Sequence, residues 1–539
     1  MNRLIITCFL FACLQSSGQP SLYTTANAHS HNDYEQPFPF WSAWRQGFGS
    51  MEVDIFLEND EIIVAHDKPQ LKRHWTLDSL YLQPLLQCVI KNNGYVYADT
   101  SRTLQLLVDI KSEAVPSLAK LVEKLRPYTL LINSPSLQIV ISGNRPEPST
   151  FSSWPPWVLF DGDLQKDYNK EELTRIAMFS DNFSQYSSWN GKGRLPEKEL
   201  LTLQSMIKKS HQLNKKMRFW NAPDILNSWY SFIDMRVDYI NTDHIESVAT
   251  FFKQLPDRIY TGKEAYNLYS PQWKNDGLDK PVRNVILLIG DGTGLAQWYA
   301  GYTANKGKLN VFNMRQTGLS KTSSFDNYIT DSAPGATAFS SGSKTNNRAV
   351  GVDHTGKKLI LLPEIVRKRK IKTGIITSGD LRDATPAAFY AHQAERSNYP
   401  AILKDLVNDP VDIIMGACDL GKQDSASNVL KKEFNYLLSI DSIKKNSKTP
   451  LLVADARAAL SVEGGRGDWA QKAFQSAIRV LSQNKEGFLL ILEGAQIDHG
   501  GHANKLPYAV SELLDFDRVI GEAMKFADSN GRDAYYCNW

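Results

Sequence analysis

Val285-Ile-Leu-Leu-Ile-Gly-Asp-Gly292 is an apolar run that ends in a carboxylate between two glycines, and further along stands Thr330-Asp-Ser-Ala-Pro-Gly-Ala-Thr-Ala338. A short continuous apolar run bounded by glycine reads as a strand buried on both faces of a parallel sheet. Asp291 then stands at the strand's C-terminal end, where the turn leaves room for a metal and a phosphate. The second segment passes from a turn into a small-residue helix, so the Ser332 hydroxyl lies near backbone N–H groups that favour an anion. A strand-end carboxylate and a hydroxyl nucleophile together point to phosphoryl transfer.

Working outward, apolar runs at 285–290, 372–377, 411–415 and 488–493 alternate with amphipathic patterns near 468–484 and 507–529. This predicts a wound α/β sheet. The N-terminal half has a different rhythm. Short runs fall at Ala26–His31, Ser50–Leu57, Leu104–Lys111, Leu137–Gly143, Trp157–Asp161, Ala177–Asp181, Lys216–Asn221 and Asp238–Asp243. Most are separated by helix-length segments, which suits a βα (TIM) barrel, and Glu61–Asp67 reads as one extra strand. The expected division is a leader over 1–19, a barrel over 20–258, a linker over 259–283 rich in Tyr, Asn, Pro and Lys, and the wound sheet over 284–539.

The chain has 539 residues, 22% of them charged, with a net charge of +3. That length predicts more than one core, and the even charge gives no reason to expect a nucleic-acid partner. Met1-Asn-Arg3 followed by Leu4 to Leu14 is a basic and then apolar start, with Ser16, Ser17 and Gly18 before Gln19. It reads as a cleaved secretory signal, too short to span a bilayer, and predicts a periplasmic or secreted protein. Leu10-Phe-Ala-Cys13 is a loose lipobox that the bulky Phe11 disfavours. Cys88, Cys418 and Cys537 lie far apart, so neither a disulfide framework nor a cysteine zinc site is visible. No later run approaches the roughly 18 apolar residues of a membrane helix.

Polar residues at strand C-termini are the functional ones in such a barrel. Glu52 and Asp54 are two apart, so their side chains share a face and can hold one hard cation, Ca2+ or Mg2+. Asp109 is a third oxygen ligand, His31 and His66 are candidate acid and base, and Lys111 a candidate phosphate contact. Each of these taken singly could be an ordinary solvated strand-end residue. As a set, His31, Glu52 with Asp54, His66-Asp67, and Asp109 with Lys111 resemble the glycerophosphodiester phosphodiesterase-like, or phospholipase-C-like phosphodiesterase, superfamily. Asn32 and Asp109 depart from its pattern, which usually has Arg and Glu there.

In the second half, Ile289-Gly-Asp-Gly-Thr-Gly294 is followed by Thr330-Asp-Ser332, Asp383-Ala-Thr385, Arg396 and Glu493-Gly-Ala-Gln-Ile-Asp-His-Gly-Gly-His502. The order and spacing resemble alkaline phosphatase over about 285–531. The resemblance implies Ser332 as the nucleophile that becomes phosphorylated and Arg396 as the clamp on two phosphate oxygens. It implies Asp291 between a zinc and the magnesium, Thr385 and Glu493 on Mg2+, and Asp498 and His502 on the other Zn2+. Asp383 and His499 fall just behind these ligands. Small phosphate esters are the implied substrates, with a homodimer as a possible assembly.

The family continues past this point with another apolar strand ending in Asp-His and a later His. Here Arg532-Asp-Ala-Tyr-Tyr-Cys-Asn-Trp539 follows. Shifting a degenerate back-translation of 533–539 by one base permits Thr-Leu-Ile-Ile-Val-Thr-Gly, so a frameshift with loss of the C-terminal part is one expectation. A bare sheet edge and an apolar patch are another. The alternative function on this reading is a catalytically dead truncated phosphatase, with either only the barrel active or only metal or phosphate binding.

Overall fold

The computed structural model describes residues 23–262, 265–273, 282–409, 411–420, 425–530 and 533–538. The expected leader, including Cys8 and Cys13, lies outside the described residues. The chain divides into two compact units, Met1–Pro256 and Asp257–Trp539.

The first unit is a parallel barrel. Its strands are β1 (Ala28–Ser30), β2 (Ser50–Glu58), β3 (Glu61–Val64), β4 (Leu104–Ile110), β5 (Leu137–Gly143), β6 (Val158–Gly162), β7 (Ile176–Asn182), β8 (Lys216–Trp220) and β9 (Ile240–Thr242). Neighbours run β8-β7-β6-β5-β4-β2-β1-β9, and a parallel bridge between Arg218 and Tyr239 brings the two ends together. β3 is the extra strand, paired antiparallel to β2 outside the ring. Eight parallel strands are thus found where the apolar runs lie. The barrel is filled by Leu107, Val140, Met178 and Tyr239, with a polar contact from Gln105 Nε2 to Ser50 Oγ at 2.9 Å.

The second unit is a seven-stranded parallel sheet of β10 (Asn284–Gly290), β11 (Lys372–Asp380), β12 (Ile413–Ala417), β13 (Asn435–Leu437), β14 (Leu451–Ala454), β15 (Phe488–Gly494) and β16 (Asp533–Asn538). Its order is β13-β14-β12-β11-β15-β10-β16. Alternate residues of each central strand feed opposite faces. Ile286, Leu288, Leu490 and Leu492 pack with Trp298, Trp469 and the helices Trp469–Leu481 and Leu506–Asn530. Ile289, Leu489 and Ile491 pack with Phe389, Tyr390 and the helix Tyr399–Asn408 on the other face. This is why the strand at 285–290 has no polar alternation.

One expectation is corrected. The closing residues do supply a strand, because β16 pairs in parallel register with β10 from Asn284↔Asp533 to Ile289↔Asn538. The backbone needs only extended residues to complete a ladder, so β16, and not a bare β10, forms this sheet edge. The expected linker is also anchored in its described part. Tyr266 Oη donates to Asp517, Tyr269 Oη donates to Asp528 at 3.0 Å, and the backbone N–H groups of Gln272 and Trp273 reach the same Asp528. Tyr carries an apolar body with a polar tip, and here the Tyr266 and Tyr269 rings pack on the core while carboxylates of the long helix take their hydroxyls.

Candidate active sites

Each unit gathers polar residues at the C-terminal ends of its parallel strands. In the second unit, Asp291 follows β10 directly and its carboxylate accepts from Ser332 Oγ at 2.9 and 3.2 Å. Ser332 opens the helix Ser332–Ser341. Asp331 caps that helix through Ala333 N–H, and its other oxygen accepts from Arg348 N–H at 2.6 Å. The cap leaves the hydroxyl of the first helical residue at the positive end of the helix. Arg396 Nη1 stands 3.5 Å from Asp331 Oδ1, and the Arg396 N–H is fixed on the Arg348 carbonyl at 2.7 Å.

Glu493 lies at the end of β15, in register between Ile289 of β10 and Thr377 of β11. It is buried, accepts from Thr377 Oγ1 at 2.5 Å and is also hydrogen-bonded by Thr385. Burial, then the Asp291 charge, holds its carboxyl well above the usual range. Asp291 is raised as well, by burial and by the Asp498 charge, with Ser332 and Arg396 acting against the shift. Asp498 and His502 meet one turn apart on a short helix, Nε2 to Oδ2 at 3.1 Å, and His502 is exposed. Asp383 accepts from Tyr399 Oη at 2.7 Å, whereas His499 is exposed. The approach of Asp498 depends on Gly292. At φ +63°, a Cβ there would lie 2.8 Å from Asp498 Cα. Adjoining carboxylates that raise one another, with hydroxyl ligands alongside, are a donor set suited to divalent cations.

An alkaline phosphatase family model matches residues 282–439 and 444–534. This half of the chain belongs to the alkaline phosphatase family. Among its relatives, alkaline phosphatase 4 of Bacillus subtilis is 35% identical over 271 residues, 46% of this chain and 58% of that protein. Alkaline phosphatase 3 of the same organism is 29% identical over 286 residues and is covered to 60%, so the chain spans well under two thirds of these relatives. The solved alkaline phosphatase from the Antarctic bacterium TAB5 is 35% identical, with a TM-score of 0.46 over 48% of this chain and 78% of that one. A form of that enzyme was solved with magnesium bound.

In the first unit, an AIM6-like phosphodiesterase domain model matches residues 23–130. Altered inheritance of mitochondria protein 6 of Kluyveromyces lactis is 28% identical over 301 residues, 42% of this chain and 72% of that protein. The barrel mouth places the expected residues together. Glu52, Asp54 and Asp109 each offer an oxygen within 4.8 Å of the others, the only such acidic, His or Cys trio among the described residues. Asp54 Oδ1 and Asp109 Oδ1 are buried without an aligned hydrogen bond. Such incompletely satisfied oxygens fit a hard cation. Lys111 Nζ lies 3.0 Å from Asp54 and 3.2 Å from Asp109, so it offsets part of the trio's charge. Asp54 is pushed up to about 6 by burial and by the Glu52 charge.

Both expected histidines are held the same way. His31 Nδ1 lies 2.8 Å from Asp243 Oδ1, and His66 Nδ1 lies 2.9 Å from Asp54 Oδ2, which leaves Nε2 of each for other partners. Burial opposes protonation of His31, but Asp243 and the Glu52 charge outweigh it and raise its pKa.

Sequence reasoning missed the layer below. His29 is fully buried, with Nδ1 on Ser50 Oγ at 2.7 Å and Nε2 on Glu52 Oε2 at 2.9 Å. Arg218 of β8 reaches both His29 and Glu52 and lies 2.5 Å from the latter. Burial and the Arg218 charge push His29 down to about 3, so it stays neutral. The same guanidinium keeps Glu52 ionised against its burial. His29 shares strand parity with His31, and that was the available signal.

Proposed function

We propose that the second unit hydrolyses phosphomonoesters through a phosphoserine at Ser332, and that the barrel is a metal-dependent phosphodiesterase. The observation that carries the reading is the Ser332 Oγ to Asp291 hydrogen bond at the end of β10. It directs the hydroxyl proton to a carboxylate and leaves an oxygen lone pair at a helix N-terminus, where a phosphoryl group is favoured. In the first step the Ser332 O–P bond forms and the ester P–O bond breaks, releasing the alcohol. Water then cleaves the phosphoserine to give inorganic phosphate. Arg396 would hold the non-bridging oxygens with its fork.

Asp291, Thr385 and Glu493 would hold Mg2+, while Asp291 on one side and Asp498 with His502 on the other would hold Zn2+. Asp383 and His499 would lie behind these ligands. Cations there supply charge stabilisation and a lower hydroxyl pKa. In the barrel, Glu52, Asp54 and Asp109 would hold Ca2+ or Mg2+, and His31 and His66 would act as acid and base through Nε2.

The two activities in one chain suit extracytoplasmic phosphate scavenging, in which the diesterase exposes a monoester that the phosphatase consumes. Ser332→Ala is expected to convert diesters and accumulate the monoester. Unchanged phosphate release from monoesters by this variant would overturn the reading.

A further inference from the structure

One residue links the two sides of the phosphatase site through its backbone. The Arg348 N–H donates to Asp331 Oδ2 at 2.6 Å, beside Ser332, and the Arg348 carbonyl accepts from the Arg396 N–H at 2.7 Å. The same two segments pair again at Val350 and Gln393, in a short antiparallel bridge. Next to Arg348, the Asn347 side chain accepts from Asp331 N–H at 3.2 Å and donates to the Ile329 carbonyl at 3.0 Å. Segment 347–350 is thus bonded to the Ser332 turn and to the Arg396 turn at once.

Arg348 makes these contacts at φ +73°, a left-handed conformation that suits glycine and costs other L-residues free energy. Its side chain is what glycine lacks. Nε donates to Glu395 Oε2 at 2.8 Å and Nη2 to Oε1 at 2.6 Å, a two-pronged pair with the residue just before Arg396. Glu395 is also held by the residue just after Arg396, since Ser397 donates to Oε1 through its N–H at 3.0 Å and its hydroxyl at 2.8 Å. With 55% of one side chain and 47% of the other exposed, such an ion pair contributes little to folding. Strained backbone held by a pair of little folding value, at the border of a site, points to a role in the site.

We infer that Arg348 and Glu395 are positioning residues for phosphate recognition, whose ion pair holds the Arg396 backbone on the Ser332 turn and so fixes the spacing between clamp and nucleophile. The inference rests on the phosphomonoesterase reading of this unit. Both residues act through Arg396 and not on the substrate. The Arg396 guanidinium reaches Asp331 Oδ1 only at 3.5 Å, too long for a firm hydrogen bond, so its aim depends on where its backbone is held.

The test compares the full, metal-loaded chain with its Arg348→Gly, Glu395→Gln and doubly substituted forms. Turnover of p-nitrophenyl phosphate, calorimetric binding of inorganic phosphate and thermal melting are measured for each. Each single change is expected to lower kcat/KM and weaken phosphate binding by roughly tenfold, less than the roughly 100-fold that a full 1 Å misplacement costs. The double variant should be no worse than either single one, because the pair acts as a unit. Arg348→Gly should melt no lower than the parent, since relief of left-handed strain offsets the added freedom of glycine in the unfolded chain. Arg348→Lys keeps the charge without the fork and should fall between the parent and the glycine variant. Lys472→Ala removes a comparably exposed ion pair with Asp468 and should match the parent in turnover and phosphate binding. Variants that bind phosphate and turn over like the parent overturn the inference and leave the phosphatase reading standing. Additive losses in the double variant, or a melt that falls while phosphate affinity holds, overturn it too. A parent that binds phosphate without turnover, with weakened binding in the variants, supports the positioning and removes the phosphatase reading. A parent that neither binds phosphate nor turns over overturns the two together.

Discussion

Replacing Gly292 by alanine tests whether the β10 turn exists to let Asp498 reach Asp291. The residue has φ +63°, and a methyl there would stand 2.8 Å from both Cα and Cβ of Asp498. Left-handed backbone costs an L-residue about 1–2 kcal/mol. Forcing the helix Gln496–His502 away from the strand end adds an overpacking cost of about 1–3 kcal/mol. Together these give about 2–5 kcal/mol, which lowers the melting temperature of a unit of this size by about 4–20 °C. Moving Asp498 by a fraction of an ångström or more should also cut monoester turnover, by about 100-fold for a full 1 Å. The assay is p-nitrophenyl phosphate hydrolysis beside a thermal melt. Gly335→Ala is the control, since its position has no atom within 4 Å and lies inside a helix. That change should gain about 1 kcal/mol. A Gly292→Ala protein that melts and turns over like the parent would refute the close-approach argument.

Further outcomes follow from the same packing. Arg466 is buried against Glu512 and 3.0 Å from Asp515, so Arg466→Met strands two buried carboxylates and should cost about 3–5 kcal/mol by urea unfolding. Arg218→Met should likewise raise the Glu52 pKa and destabilise the barrel, read as an earlier melt of the barrel transition. The Arg348 guanidinium and two Ser397 contacts hold Glu395 at about 2. A carboxyl lowered in the fold stabilises above its ordinary pKa and loses that contribution as pH falls toward 2. Carbon-detected titration should place Glu395 higher in Arg348→Ala but still below its ordinary value, because both Ser397 contacts remain, with only a small stability change because the pair is half exposed. Asp54 is raised, so without cations the barrel should lose stability as pH climbs from about 4 to 6. Added Mg2+ or Ca2+ should therefore raise its melting temperature more at pH 7 than at pH 5.

What could be read from the chain follows from how locally each feature is encoded. Residues 285–290 have no polar member because β10 is covered on both faces, and that is visible in a short window. β13 and β14 escaped notice because three and four residues carry no periodicity. β16 escaped for another reason, since its ladder is made by backbone alone. Asp291, Ser332, Glu493 and Asp498 stand in compact words at strand and helix ends, where residue type and spacing define the chemistry. Arg218 lies in Lys216-Met-Arg-Phe-Trp220, where Met217 and Phe219 are the buried apolar pair and Phe219 meets Phe183 outside the ring. The intervening arginine looks like a solvated strand residue until the barrel curls it onto His29 and Glu52. Asp161 is hidden in the same way, its partners Ser142 and Ser180 coming from the two neighbouring strands. Closure of the ring, a long-range event, makes both visible.

The central claim is most directly tested by acid-quenching the metal-loaded chain during turnover of a phosphomonoester and mapping the phosphorylated peptide. The account predicts one phosphoryl group on the peptide that contains Ser332, absent in Ser332→Ala together with monoester turnover. A phosphoryl group on another residue, or full turnover by the alanine variant, would contradict it.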